Sequence, residues 1–237
     1  MNHDILDLAE LDIPYMETTT FGDYTIKIDH DDMNESPRDW DNLGTMVCFH
    51  SRYNLGDYTQ HNHTDPLEFA YDLSGLYEDE VFEYLTDDQL AKCWDEIHRK
   101  YVILPLYLYD HSGITMNTSG FSCGWDSGQV GYIYMSLEDI RKEYNVKRVS
   151  KKMREKVAKY LTGEVEVYDQ HLTGEVYGFT IEKGEEEEHV DSCWGFYGYN
   201  DDYMISVIKD AIKWDIEHTP QQMELPIPQS SQQEMHV

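Results

Sequence analysis

The sequence predicts an α+β fold: an antiparallel sheet with flanking helices and a disordered C-terminal tail. Three observations predict it. Stretches such as Tyr24–Asp29 and Gln129–Met135 alternate apolar and polar residues with period two, as half-buried strands do. Other stretches place apolar residues at i, i+3, i+4 and i+7, the pattern of helices segregated from those strands. From His218 onward the chain is rich in Gln and Pro and lacks a core pattern. With 237 residues available for a full core, residues 1–217 are expected to form a single domain and 218–237 a flexible tail.

Residues 1–20 are acidic and read as a short helix or loop. Tyr24–Asp29 reads as a strand, HDDMNESPRDWDNLG as a loop, and Thr45–His50 as a second strand. A polar loop follows to Asp65. Helical pieces are expected over Pro66–Leu73 and Glu78–Leu85. A clearer helix spans Asp87–Lys100, with Thr86 as cap, acids at its start, bases at its end, and Leu90, Cys93, Trp94 and Ile97 on one face.

Tyr101–Tyr109 is nearly continuous in apolar β-formers, as in a strand buried on both faces. Pro105 within it argues for an edge position or a bulge, because proline has no N–H for the ladder. If this run pairs with Gln129–Met135, the loop between them gathers at one end of the sheet.

Ser136-Leu-Glu-Asp139 resembles a capping box and predicts a helix to about Tyr144. Ser150 caps a helix over Lys151–Leu161, and Gly163 is expected to stop it. Glu164–Leu172 and Glu175–Lys183 alternate and read as a hairpin, followed by an acidic turn at Glu185–Glu188. Ser192–Tyr199 reads as a strand or aromatic loop. The last helix begins near Asp201 or Asp202, with Ile205, Ile208, Ile212 and Ile216 along one face.

Charge is the strongest global signal. The formal net charge is −29. Residues 141–160 hold nine basic residues against two acids, a local charge of +7, so the remainder carries −36. Such a body repels nucleic acid and suits a basic, DNA-binding protein surface as partner; direct nucleic-acid binding is disfavoured. The basic segment is the exception. Lys151, Lys152, Arg154 and Lys156 suit phosphates, or else an acidic face of the same chain or of a second copy, and both readings stay open. A homo-oligomer is compatible with the second. The chain contains 19 Tyr, which suit interfaces.

The acidic N-terminus is unlike a signal peptide and no run is long enough to span a membrane, so a cytoplasmic location and no membrane partner are expected. Cys48, Cys93, Cys123 and Cys193 are widely spaced, without a C-x-x-C pair, and are expected to be reduced. No cofactor is expected.

The loop after Tyr109 collects chemistry-bearing residues. Asp110, His111, Cys123, Asp126 and Ser127 supply acid, base and nucleophile for a hydrolase, provided that they stand in hydrogen-bond order. The competing reading is turn chemistry, since Asp and Ser bond nearby backbone N–H groups. His61, His63 and Asp65 offer imidazole and carboxylate to a divalent metal, although the spacing matches no established site.

In the tail, Gln222, Met223, Leu225, Pro226 and Ile227 resemble the bacterial sliding-clamp-binding peptide: a leading Gln for the rim of the groove and apolar residues for its interior. PRDWDNLGTMVCFHSRYNLGD (Pro37–Asp57), LPLYLYDHSGITM (Leu104–Met116) and DSGQVGYIYMS (Asp126–Ser136) together resemble an uncharacterised family of bacteriophage and mobile-element proteins, across roughly residues 20–200. The resemblance implies a phage or plasmid setting, hence the cytoplasm of an infected bacterial host, and carries no catalytic residues with it.

These readings converge on an acidic mobile-element protein that binds and inhibits a nucleic-acid-handling host protein, in anti-restriction, anti-CRISPR or replication takeover, by DNA mimicry. The alternatives are a metal-dependent or nucleophilic hydrolase using residues 109–128, and a clamp-associated replication accessory.

Overall fold

A computed structural model describes residues 8, 11–14, 18–57, 65–77, 85–199 and 202–218. Among these residues the chain forms five helices and two four-stranded antiparallel sheets, each built around its own apolar cluster. The α+β class is therefore as the sequence predicts.

The first sheet has the order β3-β6-β4-β5, formed by β3 (Thr45–Cys48), β4 (Tyr101–Asp110), β5 (Ile114–Asn117) and β6 (Ser127–Ser136). The expected pairing of the two long runs is present: β4 and β6 run antiparallel from Tyr101↔Ser136 to Tyr109↔Ser127. Of the edge position or bulge expected at Pro105, the structure gives a local edge within an interior strand, with the irregularity one residue further on. The register shifts between Leu106 and Tyr107, and β5 pairs with β4 only from Tyr107 onward, so no ladder bond is demanded of Pro105 on that side.

Helices cover both faces of this sheet. On one face, α1 (Pro66–Ser74) and α2 (Asp87–Lys100) place Phe69 in a stack on Tyr132, with ring centroids 5.4 Å apart, and Trp94 at 5.0 Å from the same ring. On the other, α4 (Lys151–Thr173) buries Val157, Leu161, Val165 and Tyr168 with Met46, Leu106, Leu108 and Ile133. Gly131 permits the close approach of β3, because a Cβ there would lie 1.9 Å from the Val47 carbonyl oxygen. The short α3 (Leu137–Glu143) starts at Ser136, whose hydroxyl accepts from the Asp139 N–H at 3.0 Å, as the capping-box pattern predicts. Thr86 and Gln89 form a complete capping box on α2.

The second sheet has the order β1-β2-β7-β8, from β1 (Thr19–Phe21), β2 (Tyr24–His30), β7 (Val176–Lys183) and β8 (Glu188–Tyr197). Tyr24, Ile26 and Ile28 point inward from β2, as the alternation predicts. They pack with Phe179, Ile181 and Phe196 beneath α5 (Asp202–His218). The inward stripe of α5 is Met204, Ile208 and Ile212; Ile216 is exposed. β8 is an edge strand, and its pairing with β7 shifts register twice, at Tyr177/Gly178 and Ile181/Glu182. Bulges and charged residues of this kind blunt an edge against further pairing.

The longest departure from the sequence reading lies in α4. Gly163 does not stop α4, and Glu164–Leu172 is not a strand: the helix continues to Thr173 and ends at Gly174 in the left-handed conformation, φ 76°. The segment has two apolar periods. Val165 and Val167 suit a strand, whereas Val165, Tyr168 and Leu172 suit a helix, and burial against the first sheet selects the second. The hairpin partner of β7 is β8, joined by an acidic turn as the sequence predicts, although the turn ends at Glu187 and Glu188, expected within it, opens β8 opposite Lys183. Thr19 and Thr20, within the segment 1–20 expected as helix or loop, form the strand β1 with Phe21. Most of the Glu78–Leu85 segment and the tail 219–237 lie outside the described residues. No helix among the described residues is long and apolar enough to cross a membrane.

Candidate functional site

Antiparallel pairing of β4, β5 and β6 brings the predicted loop residues to one end of the first sheet. Asp110 and Ile114 face each other across a tight turn in which Ser112 has φ 59° and the His111 N–H donates to the Gly113 carbonyl at 3.0 Å. Farther on, the Asn117 side chain accepts from the N–H groups of Ser119 (3.0 Å) and Gly120 (2.6 Å), folding the chain back toward β6. The Asp110 N–H then donates to the Asp126 carbonyl at 2.8 Å and closes the loop.

Within this loop the acid stands in the middle. Asp126 Oδ2 lies 3.7 Å from His111 Nδ1 and 3.9 Å from Cys123 Sγ. Both groups therefore address one carboxylate oxygen, whereas a nucleophile–base–acid relay needs His between Cys and Asp. Ser127 Oγ donates to the Cys123 carbonyl, which is turn chemistry. Asp110 is engaged elsewhere: Arg52 donates to Oδ2 and the Tyr53 hydroxyl to Oδ1 at 3.3 Å. The His111 side chain is 64% exposed and that of Asp126 41%, so water screens both. The loop's most conspicuous feature is Trp125, 96% exposed at its tip. Arg52 belongs to this site although it lies 58 residues before Asp110, and no local pattern in the sequence links the two.

The basic segment divides in two. Arg154 is turned inward and satisfies the end of α2, its Nη1 donating to the carbonyls of Tyr101 (2.9 Å) and His98 (3.3 Å) and its Nη2 to that of Arg99 (3.1 Å). It is a structural residue and leaves the set of candidate phosphate ligands. Lys151, Lys152 and Lys156 are exposed. The Lys156 ammonium sits over the rings of Tyr144 and Tyr160, at 4.8 and 5.5 Å.

Asp65 caps α1, its carboxylate accepting from the Leu67 N–H at 2.7 Å. His61 and His63 lie outside the described residues, as do Gln222, Met223, Leu225, Pro226 and Ile227. Among the described residues no group of three or more His, Cys, Asp or Glu is arranged to hold a metal ion. All four cysteines are free.

Two further features emerge only in three dimensions. The first is a buried ion network. The Arg38 side chain, 3% exposed, donates to Asp57 through Nε (2.6 Å) and Nη2 (2.9 Å), to Glu164 through Nη1 (3.0 Å), and to the Gly44 carbonyl (2.7 Å). Glu164 in turn accepts from the Leu43 N–H at 2.7 Å, and Asp57 from the Met46 N–H at 2.8 Å. Burial alone would lower the affinity of Arg38 for its proton; the hydrogen bonds and charges of Asp57 and Glu164 outweigh that and raise it.

The second is the charge of the half built on the second sheet. Residues 11–35 and 175–218 contain nineteen acids and four lysines. Two of those lysines are engaged within the fold: Lys27 with Glu182 at 2.6 Å, and Lys183 with Asp215 at 2.5 Å, where the Tyr24 hydroxyl also donates at 2.6 Å. Glu185, Glu186, Glu187, Glu188 and Asp191 are exposed and have no ion-pair partner among the described residues.

Searches against protein-family models, curated proteins and solved structures returned no match to this chain.

Proposed function

We propose that this chain is a binding protein whose acidic half occupies the nucleic-acid-binding surface of a host protein and thereby inhibits it. The observation that carries the reading is the uncompensated carboxylate surface around the β7–β8 turn. The two strand lysines of this sheet are held elsewhere, Lys183 by Asp215 and Lys27 by Glu182, so Glu185–Glu188 and Asp191 face solvent with no ion pair among the described residues. Carboxylates so presented stand in for phosphates in a positively charged channel. The resemblance of Pro37–Asp57, Leu104–Met116 and Asp126–Ser136 to mobile-element proteins supports a phage setting, in which host defence and replication are the natural targets. The peptide Gln222–Ile227 adds a sliding-clamp contact in this proposal.

The hydrolase reading has less support. Cys123 and His111 share one carboxylate oxygen, Ser127 serves the backbone, and Asp110 is held by Arg52 and Tyr53.

The test is capture from bacterial lysate at moderate salt. Immobilised full chain is expected to retain a DNA-handling protein that duplex DNA displaces. A variant carrying Glu185→Lys, Glu187→Lys and Asp191→Lys should lose it. Retention by the variant, or failure of DNA to compete, would refute mimicry. A chain ending at His218 should keep this capture and lose only the clamp.

A further inference from the structure

The face formed by α3, the loop after it and the first turns of α4 is basic in an otherwise acidic chain. The sequence leaves open whether this charge is neutralised within the molecule. The structure answers for each residue. Lys142 pairs with Glu138 at 3.0 Å on its own helix, Lys151 approaches Glu155 at 4.0 Å, and Arg154 serves the carbonyls at the end of α2. Arg141, Lys147, Arg148, Lys152, Lys156 and Lys159 are exposed, and among the described residues none makes an ion pair, with the acidic half or with anything else.

The arrangement also runs against helix stability. The N-terminus of a helix is its positive end and favours acids. Each of the other four helices places an acid in its first turn; α4 places none there and begins Lys151-Lys152. A chain with 47 acids has had ample means to follow the rule. Lys152, Lys156 and Lys159, spaced i, i+4 and i+7, share the outward side of α4, opposite the buried Val157 and Leu161. Beside them stand Tyr144 and Tyr160, the latter 49% exposed.

We infer that this face binds the phosphodiester backbone of a single-stranded nucleic acid, with the lysines on phosphates and Tyr160 stacked on a base. Lysines in line with an exposed aromatic ring are the elements such binding uses. The charge of the rest of the chain does not forbid it. At physiological ionic strength charges are screened over about 8 Å, whereas nine residues of helix already extend about 13 Å. The inference is independent of the proposal for the acidic half, which concerns a different surface and a protein partner.

Fluorescence anisotropy of the full chain with a labelled single strand of about 20 nucleotides tests it, with a duplex of equal length as the second arm. The affinity is expected to fall with salt with a log–log slope of about −3 to −4, as four to six neutralised phosphates require. Lys152→Glu/Lys156→Glu/Lys159→Glu should weaken binding by more than about tenfold. Arg141→Glu/Arg148→Glu, on separate elements, should weaken it as well. Lys209→Glu/Lys213→Glu on α5 should leave it unchanged. Tyr160→Ala should weaken the single strand and spare the duplex. Circular dichroism of each variant checks that the fold is kept. Absence of binding at about 25 mM salt overturns the inference. So does an unaffected triple variant, or sedimentation showing that the same lysines mediate self-association; the face would then belong to a second copy. A duplex bound as tightly as the single strand, with no effect of Tyr160→Ala, overturns the single-strand assignment.

Discussion

Arg38 holds Asp57 in a two-point grip, Nε to Oδ1 at 2.6 Å and Nη2 to Oδ2 at 2.9 Å, with the guanidinium buried and the carboxylate partly open to solvent. The remaining nitrogen, Nη1, meets Glu164 on α4. One cation thus ties the segment before β3 and the loop after it to the long helix. Removing it would leave two carboxylates without their counter-charge. Arg38→Ala is expected to destabilise the chain by about 3–5 kcal/mol in denaturant titration. Arg38→Lys, which cannot reproduce the fork, should fall between the two.

Glycines at two positions should respond in opposite directions to alanine. At Gly131 the added methyl would meet the Val47 carbonyl oxygen and force β3 from β6. Gly131→Ala should therefore cost about 1–3 kcal/mol or more. Gly163 lies in the interior of α4 with nothing within 4 Å of the added carbon. Gly163→Ala should stabilise by about 0.5–1 kcal/mol, through helix propensity alone. Melting temperatures of the two variants would separate these outcomes.

Acid should remove one interaction on α2. Hydrogen bonds from Arg99, then Lys100, hold the Glu96 carboxyl down from its ordinary 4.5 to about 2. A depressed carboxylate contributes stability above the unfolded value, and the contribution is lost as pH falls from about 4.5 toward 2. Glu96→Gln should melt below the native chain at neutral pH and approach it as the pH drops through that window. The groups lie at the surface, so salt should narrow the difference as well.

Thiol labelling should sort the cysteines by environment. Burial, with Asp57 nearby, pushes the Cys48 thiol up to about 12, and Cys93 is fully buried. Cys193 is exposed on β8 and Cys123 is partly so. Iodoacetamide at neutral pH should modify Cys193 first and Cys123 more slowly. Cys48 and Cys93 should react only in denaturant, as peptide mass spectrometry would show.

Local signals were legible in the sequence because they are written within about ten residues. Thr86 with Gln89, and Ser136 with Asp139, mark helix starts through side chains that reach only three residues along. The β4–β6 pairing was legible from two apolar runs, and the irregularity beside Pro105 from the chemistry of one residue. The stretch Glu164–Leu172 was misread because Val165 belongs to both a period of two and a period of four. Only the sheet beneath α4, where Val165 and Tyr168 are buried, selects between them. The candidate site was legible as a gathering of residues and not as an order. That Asp126 lies between Cys123 and His111 depends on how the loop closes onto Asp110.

By itself the sequence determined the α+β class, most helix starts, the acidic turn before β8 and the segregation of charge into one basic stretch. These follow from periodicity, capping and composition, which act along the chain. Tertiary structure alone decided which charges are free. Arg38 found its carboxylates 19 and 126 residues away, and Arg154 found the end of α2 more than 50 residues back. Lys152 and Lys159, from the same stretch as Arg154, stayed at the surface. The physical reason is that a buried guanidinium is tolerated only where several acceptors converge on it. That convergence is a property of neighbouring elements in space, and no window of sequence contains it.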